Sequence, residues 1–322
     1  MDFISSLLYF TRFHEILHIP NLAYPVTAWS EFRGHLISPL PITQTTNYQK
    51  KHMNLNQKSL LAKASVFTLI GLATTSNLFA AADTAGGDLK SDDFVGVTFW
   101  IISMALVAAT AFFFLETQRV TAKWKTSLTV SGLVTLVAAT HYFYMRDVWV
   151  ATGASPTVFR YIDWMITVPL LMVEFFLILS AITKVPAGVF WRLMIGTLVM
   201  LLGGYLGEAG YMNVTVAFII GMLGWAYIIY EIFLGEAGKI NAASAPPSVQ
   251  KAFSLMRWIV VVGWAIYPVG YALGYLTGAN PADSSDMLNI TYNLADVVNK
   301  IAFGVIIWTA AVSESDKAAA KA

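Results

Sequence analysis

Seven long, mostly apolar stretches dominate the chain between residues 94 and 312. They run near Phe94–Leu115, Thr126–Met145, Pro156–Ala181, Ala187–Leu206, Val214–Leu234, Ala252–Thr277 and Leu288–Val312. Each reaches about 20 residues or more, enough for a helix to cross about 30 Å of hydrocarbon. A segment in lipid must satisfy its own backbone hydrogen bonds, and a single apolar stretch does so only as a helix. The expected fold class is therefore an all-α membrane protein, a seven-transmembrane-helix bundle. Turn residues and charges fall in the breaks, as at Asp147–Ser155, Thr183–Pro186, Gly207–Asn213, Gly235–Lys251 and Gly278–Asp286. The Ala-rich stretch Asn241–Pro247 reads as a loop and Ser313–Ala322 as a polar tail.

Composition agrees and removes several function classes. Only 12% of residues are charged against 57% hydrophobic, whereas soluble domains carry about 25% charged residues. There is no cysteine, which excludes disulfides, thiolate chemistry and cysteine-bound metal. Four of the five histidines lie within residues 1–52, so no histidine–carboxylate metal spacing exists and no metal is expected. A net charge of +1 leaves no footprint for nucleic acid.

Charge also orients the spans. Arg119, Lys123, Lys125, Lys184, Lys239 and Lys251 occupy alternate breaks, and Lys317 and Lys321 follow the last span. The positive-inside rule puts these in the cytoplasm, with the N-terminus of the bundle outside and the C-terminus inside a cell membrane. Residues 53–82 carry a basic start, a short apolar run and the small-residue sequence Ala80–Ala82, the pattern of a secretory signal peptide. Met53 is thus the expected start, residues 1–52 an upstream extension without a folded domain, 83–316 the seven-helix domain and 317–322 a cytoplasmic tail.

Lys300 stands in the middle of the last span with Asp296 one helical turn before it. Ionisable groups at that depth are costly and face a bundle interior, and a desolvated lysine amine can condense with an aldehyde. In the third span Arg160, Asp163 and Thr167 follow i, i+3, i+7 spacing and share a face. Glu174, eleven residues past Asp163, returns to within about 20° of that face, about 16 Å along the axis. An isolated intramembrane acid is as often a partner that holds helices together. A co-facial arginine and two acids beside a mid-membrane lysine are poorly explained that way. Both the third and seventh spans run inward, so Asp163 and Asp296 lie on the outer side of Lys300 and Glu174 toward the cytoplasm. In that order a proton leaving a lysine-bound group for Asp163, with resupply from Glu174, moves outward.

Three motifs carry a resemblance: Arg-Tyr-Ile-Asp-Trp from Arg160 with Thr-Val-Pro-Leu-Leu from Thr167, Trp264-Ala-Ile-Tyr-Pro-Val-Gly-Tyr271, and Asn293-Leu-Ala-Asp-Val-Val-Asn-Lys300. They resemble the microbial rhodopsins, and most closely the green-absorbing proteorhodopsins, over about Gly87 to Val312. The resemblance implies all-trans retinal attached to Lys300 as a protonated Schiff base. It also implies light-driven proton export, with Asp163 as acceptor, Glu174 as donor, Asp296 as second counter-ion and Arg160 in the counter-ion complex. His141 matches a histidine that hydrogen-bonds the acceptor, so that the two would titrate as a pair. Trp164, Thr167, Leu171, Trp264, Tyr267 and Pro268 would line the retinal pocket, with Met200 and Tyr271 as further candidates and Pro268 bending the sixth helix. Leucine at 171 implies green absorption. The bulk of Phe218 argues against a carotenoid antenna. Family members commonly form pentamers or hexamers, so a homo-oligomer is expected.

The function expected is an outward light-driven proton pump, with protons and the bilayer as its partners and no enzymatic reaction. A sensory photoreceptor with the same chromophore is the alternative, and Glu174, which a sensor does not need, favours the pump. A sodium or chloride pump would be expected to alter the set Asp163, Thr167 and Glu174. A receptor for a diffusible ligand leaves Lys300 unexplained.

Overall fold

The computed structural model describes residues 90–277 and 281–321, the side chains of 281–285 excepted. The expectations for residues 1–52 and 53–82 lie outside the described residues. Seven helices follow: α1 (Phe94–Glu116), α2 (Ala122–Thr152), α3 (Thr157–Ser180), α4 (Ala187–Glu208), α5 (Val214–Ser244), α6 (Pro247–Leu276) and α7 (Pro281–Ala319). All seven are long and apolar enough to cross a membrane, and no strand occurs among the described residues.

Consecutive helices pack side by side from α1 to α5, and α7 closes the bundle against α1, α2 and α6. Polarity is arranged for lipid: Arg160, Asp163, Glu174, Asp296 and Lys300 are buried, while Ile101, Leu198, Leu223, Val262 and Val298 are exposed on the outer surface. Apolar side chains facing outward and charges facing inward are what a hydrocarbon solvent selects. One core cluster joins Phe175 of α3, Phe253 of α6 and Phe303 of α7, with ring centroids 5.1 and 5.6 Å apart. A second packs Phe99 and Leu106 of α1 against Tyr142 of α2.

Helix ends are set by local chemistry. Asp93 accepts from the Gly96 amide at 2.8 Å and caps α1, and Asn213 accepts from the amides of Thr215 and Val216 to cap α5, each oxygen satisfying donors that the first turn leaves free. Gly153 ends α2 in the left-handed region at φ 64°, a backbone conformation that glycine adopts without the strain a side chain would bring. Between α4 and α5, a Cβ on Gly203 would lie 2.6 Å from the Gly221 amide nitrogen. The two helices therefore meet backbone against backbone, the close approach that small residues permit in membranes.

Several expected boundaries need correction. Asp147–Thr152 belong to α2, Asn241–Ser244 to α5, and α7 begins at Pro281 and continues through Lys317 to Ala319. These stretches were expected as loops or tail because their polarity ends the hydropathic span, yet a helix can continue beyond the bilayer. In α6, Pro268 lacks the amide that would continue the ladder. The backbone widens into π turns at Ile259–Gly263 and Ala272–Leu276, on either side of it. Trp225 Nε1 donates to the Val260 carbonyl at 2.9 Å and Asn299 Nδ2 to the Gly263 carbonyl at 3.1 Å, so side chains from α5 and α7 bond to carbonyls of that turn.

Candidate functional site

The site is built around Lys300, which is only 2% exposed. Its Nζ lies 2.5 Å from Asp163 Oδ2 on α3 and 3.2 Å from Asp296 Oδ2 on its own helix. The i, i+4 spacing on α7 aligns Asp296 with the lysine, and the buried face of α3 brings in Asp163. The two carboxylates differ sharply in their surroundings. Asp296 accepts from Tyr142 Oη at 2.8 Å, Tyr267 Oη at 2.7 Å and Trp164 Nε1 at 3.1 Å, in addition to Lys300. Its donors thus come from α2, α6, α3 and α7. Asp163 has the lysine on Oδ2 and no partner on Oδ1. Asp296 is a saturated acceptor and Asp163 an unsaturated one.

Glu174 is fully buried farther along α3. Ser131 of α2 donates to its Oε1 at 2.8 Å, while Oε2 meets no partner.

Three expected contacts come out differently. Arg160 is buried but touches neither Asp163 nor Asp296. Its Nη2 donates to Asn289 and Asn293 of α7 at 2.9 and 3.1 Å, and its guanidinium stacks on Tyr292 at 5.3 Å. The asparagines intercept it one to two turns short of Asp296. The ring of His141 bonds through Nδ1 to the Val137 carbonyl at 2.8 Å, a turn back on its own helix, and the hydrogen bond expected with Asp163 is not formed. Thr167 points its hydroxyl to the Asp163 carbonyl at 3.0 Å and does not line the cavity described next.

Lys300 opens onto an apolar cavity whose wall includes Trp164, Leu171, Trp264, Tyr267 and Pro268, all expected there, together with Met200, Phe218 and Tyr271. The wall continues to Gly204 and Gly221 on α4 and α5. A Cβ on Gly204 would come 2.6 Å from the Tyr161 hydroxyl oxygen, so the absence of a side chain there keeps room. Trp164 meets Tyr267 edge-on at 5.2 Å. An amine flanked by two carboxylates at the wall of a cavity lined by aromatic and aliphatic side chains suits a long conjugated aldehyde. The residues present fit retinal.

Comparison with known proteins decides the family. Residues 93–314 match the family model described as bacteriorhodopsin-like protein. The chain belongs to that family. It is 56% identical over 250 residues to the green-light absorbing proteorhodopsin of Gamma-proteobacterium EBAC31A08, covering 78% of this chain and 98% of that one. Identity to the blue-light absorbing proteorhodopsin of Gamma-proteobacterium Hot 75m4 is 57% over 250 residues, with the same coverage. Among solved structures, the blue light-absorbing proteorhodopsin from Med12 is 54% identical with a TM-score of 0.60, covering 69% of this chain and 100% of that one. As a bacteriorhodopsin-like protein the chain is a light-driven, multi-pass membrane protein with a retinal chromophore.

Sequence reasoning missed Tyr142, Asn289 and Asn293, and also Glu208 with its tyrosines. The asparagines were readable in principle, since residues 289, 293, 296 and 300 repeat at four, three and four on α7 and so share a stripe. Tyr142 has no comparable signal beyond its place next to His141.

Proposed function

We propose that this bacteriorhodopsin-like protein is an outward light-driven proton pump with all-trans retinal attached to Lys300 as a protonated Schiff base. The observation that carries the reading is the Lys300 amine held between Asp163 and Asp296 at the wall of the cavity. Retinal bound there would supply light absorption and a change of shape that alters the proton affinity of the lysine nitrogen.

The remaining work falls to side chains. Asp163 takes the proton, since its Oδ1 is open and its Oδ2 already touches the nitrogen. Asp296, held by three uncharged donors, keeps a compensating negative charge in place. Arg160 lies one turn farther out on α3 and supplies positive charge at the outer end. Glu174, about 16 Å away on the same helix, returns a proton from the opposite side, and Ser131 orients its carboxyl. Direction follows from this order together with the cytoplasmic loops expected from their lysines and arginines. Moving one charge against 100 mV requires about 2.3 kcal/mol, a small demand for a light-driven step. Leu171 on the cavity wall supports green absorption.

The test is the pH of an unbuffered suspension of retinal-supplied cells expressing the protein, followed through light and dark. Acidification in light that a protonophore abolishes is expected. A visible band without any pH change would instead favour a sensory role.

A further inference from the structure

Glu208 is a carboxylate that the proton path does not use. It ends α4, lines the same cavity as Lys300, and accepts hydrogen bonds from three phenols on three other helices. Tyr161 of α3 donates to Oε1 at 2.9 Å, Tyr292 of α7 to Oε1 at 3.1 Å and Tyr275 of α6 to Oε2 at 3.2 Å. Arg160 and Tyr271 are the other ionisable groups within its electrostatic reach. No cation forms an ion pair with it among the described residues. Burial works against charge on this carboxylate, and the three hydroxyl donors together with Arg160 work for it.

Its position differs from that of the other two acids. Asp163 and Asp296 touch the lysine nitrogen itself. Glu208 stands on α4, which packs against α3 and α5, and its α7 partner Tyr292 lies eight residues before Lys300, about 12 Å along the axis. We propose that Glu208 is a second charge on the cavity wall that sets the absorption of the bound retinal from a place remote from the nitrogen. The proposal rests on the assignment of retinal to Lys300.

The sign follows from electrostatics. In a conjugated cation tethered at one nitrogen, light absorption moves positive charge away from that nitrogen along the chain. A negative charge beside the nitrogen stabilises the ground state, and one farther along stabilises the excited state, because Coulomb energy falls with distance. Neutralising Glu208 therefore shifts absorption to shorter wavelength, opposite to the effect of neutralising Asp163.

The experiment compares visible spectra of the purified, retinal-loaded protein across pH for wild type, Glu208→Gln, Tyr275→Phe and Asp163→Asn. Glutamine can still accept from the phenols, so a role confined to clasping the helices leaves the spectrum of Glu208→Gln unchanged. The result expected is a blue shift in Glu208→Gln, a red shift in Asp163→Asn, and two steps on acidification of wild type, a redward one that Asp163→Asn lacks and a blueward one that Glu208→Gln lacks. Tyr275→Phe should displace the pH of the blueward step. Spectra of wild type and Glu208→Gln that superimpose at every pH, or a red shift, would overturn the proposal and leave the Lys300 assignment standing. Should Glu208→Gln fail to take up retinal, an unmoved blueward step in Tyr275→Phe overturns it. A wild-type protein that forms no visible band with retinal removes both readings.

Discussion

Tyr142 on α2 donates its phenol to Oδ2 of Asp296 on α7 at 2.8 Å, although 154 residues separate them in the chain. Hydrogen bonds to charged groups contribute about 1.5–3 kcal/mol, so Tyr142→Phe should weaken the hold on Asp296. The expected outcome is a pigment that forms normally but bleaches at a lower temperature, read from loss of the visible band on heating.

Lys300→Ala should abolish the visible band with added retinal. It also leaves Asp163 and Asp296 buried without their cation, which costs several kcal/mol when a buried pair is broken. Lys300→Arg keeps a positive charge there and removes the nucleophile. Circular dichroism that stays helical in Lys300→Arg with no colour would separate loss of attachment from loss of fold. A normal band in either variant would refute the attachment site.

Asp163→Asn should keep colour and stop transport, since the amide fills the same space and cannot take the proton. Light-induced acidification of cell suspensions is the measurement. Persistent pumping would remove Asp163 from the acceptor role.

Glu174→Gln should leave the first proton movement intact and slow recovery by a factor of about 100 or more, the usual contribution of a placed proton donor. Flash photolysis reads this as late-phase decay, and an unchanged decay would exclude Glu174 as donor.

Leu171 lies on the cavity wall, and by family resemblance glutamine at this place accompanies blue absorption. Leu171→Gln should shift the absorption maximum to shorter wavelength without changing which residues move the proton. An unshifted maximum would show that colour is set elsewhere on the wall.

The seven spans and the alignment of Asp163 with Glu174 and of Asp296 with Lys300 were legible because helical periodicity and hydrocarbon thickness constrain them strongly. Partners across helices were less so. Which donor reaches Asp296, and whether Arg160 meets an acid or the amides of Asn289 and Asn293, depends on the rotation of each helix about its axis and on rotamers, neither of which periodicity determines. The ends of α2 and α7 were misjudged for a different reason. Hydropathy reports where lipid stops, and helical hydrogen bonding continues past it through Thr152 and Ala319.

The π turn at Ile259–Gly263 changes how residues must be counted along α6. A π turn accommodates one residue more than an α turn, and each residue of an α-helix advances the face by about 100°. Losing one residue within this stretch would let the ladder close as ordinary α-helix and leave Tyr267 facing Asp296. A residue lost from a regular α turn, with no slack to absorb it, turns the faces on either side of it apart by about 100°. The π turn thus gives α6 one place where the count of residues is slack, so the aim of the aromatic wall at Asp296 tolerates there a change of length that a regular helical turn would not absorb.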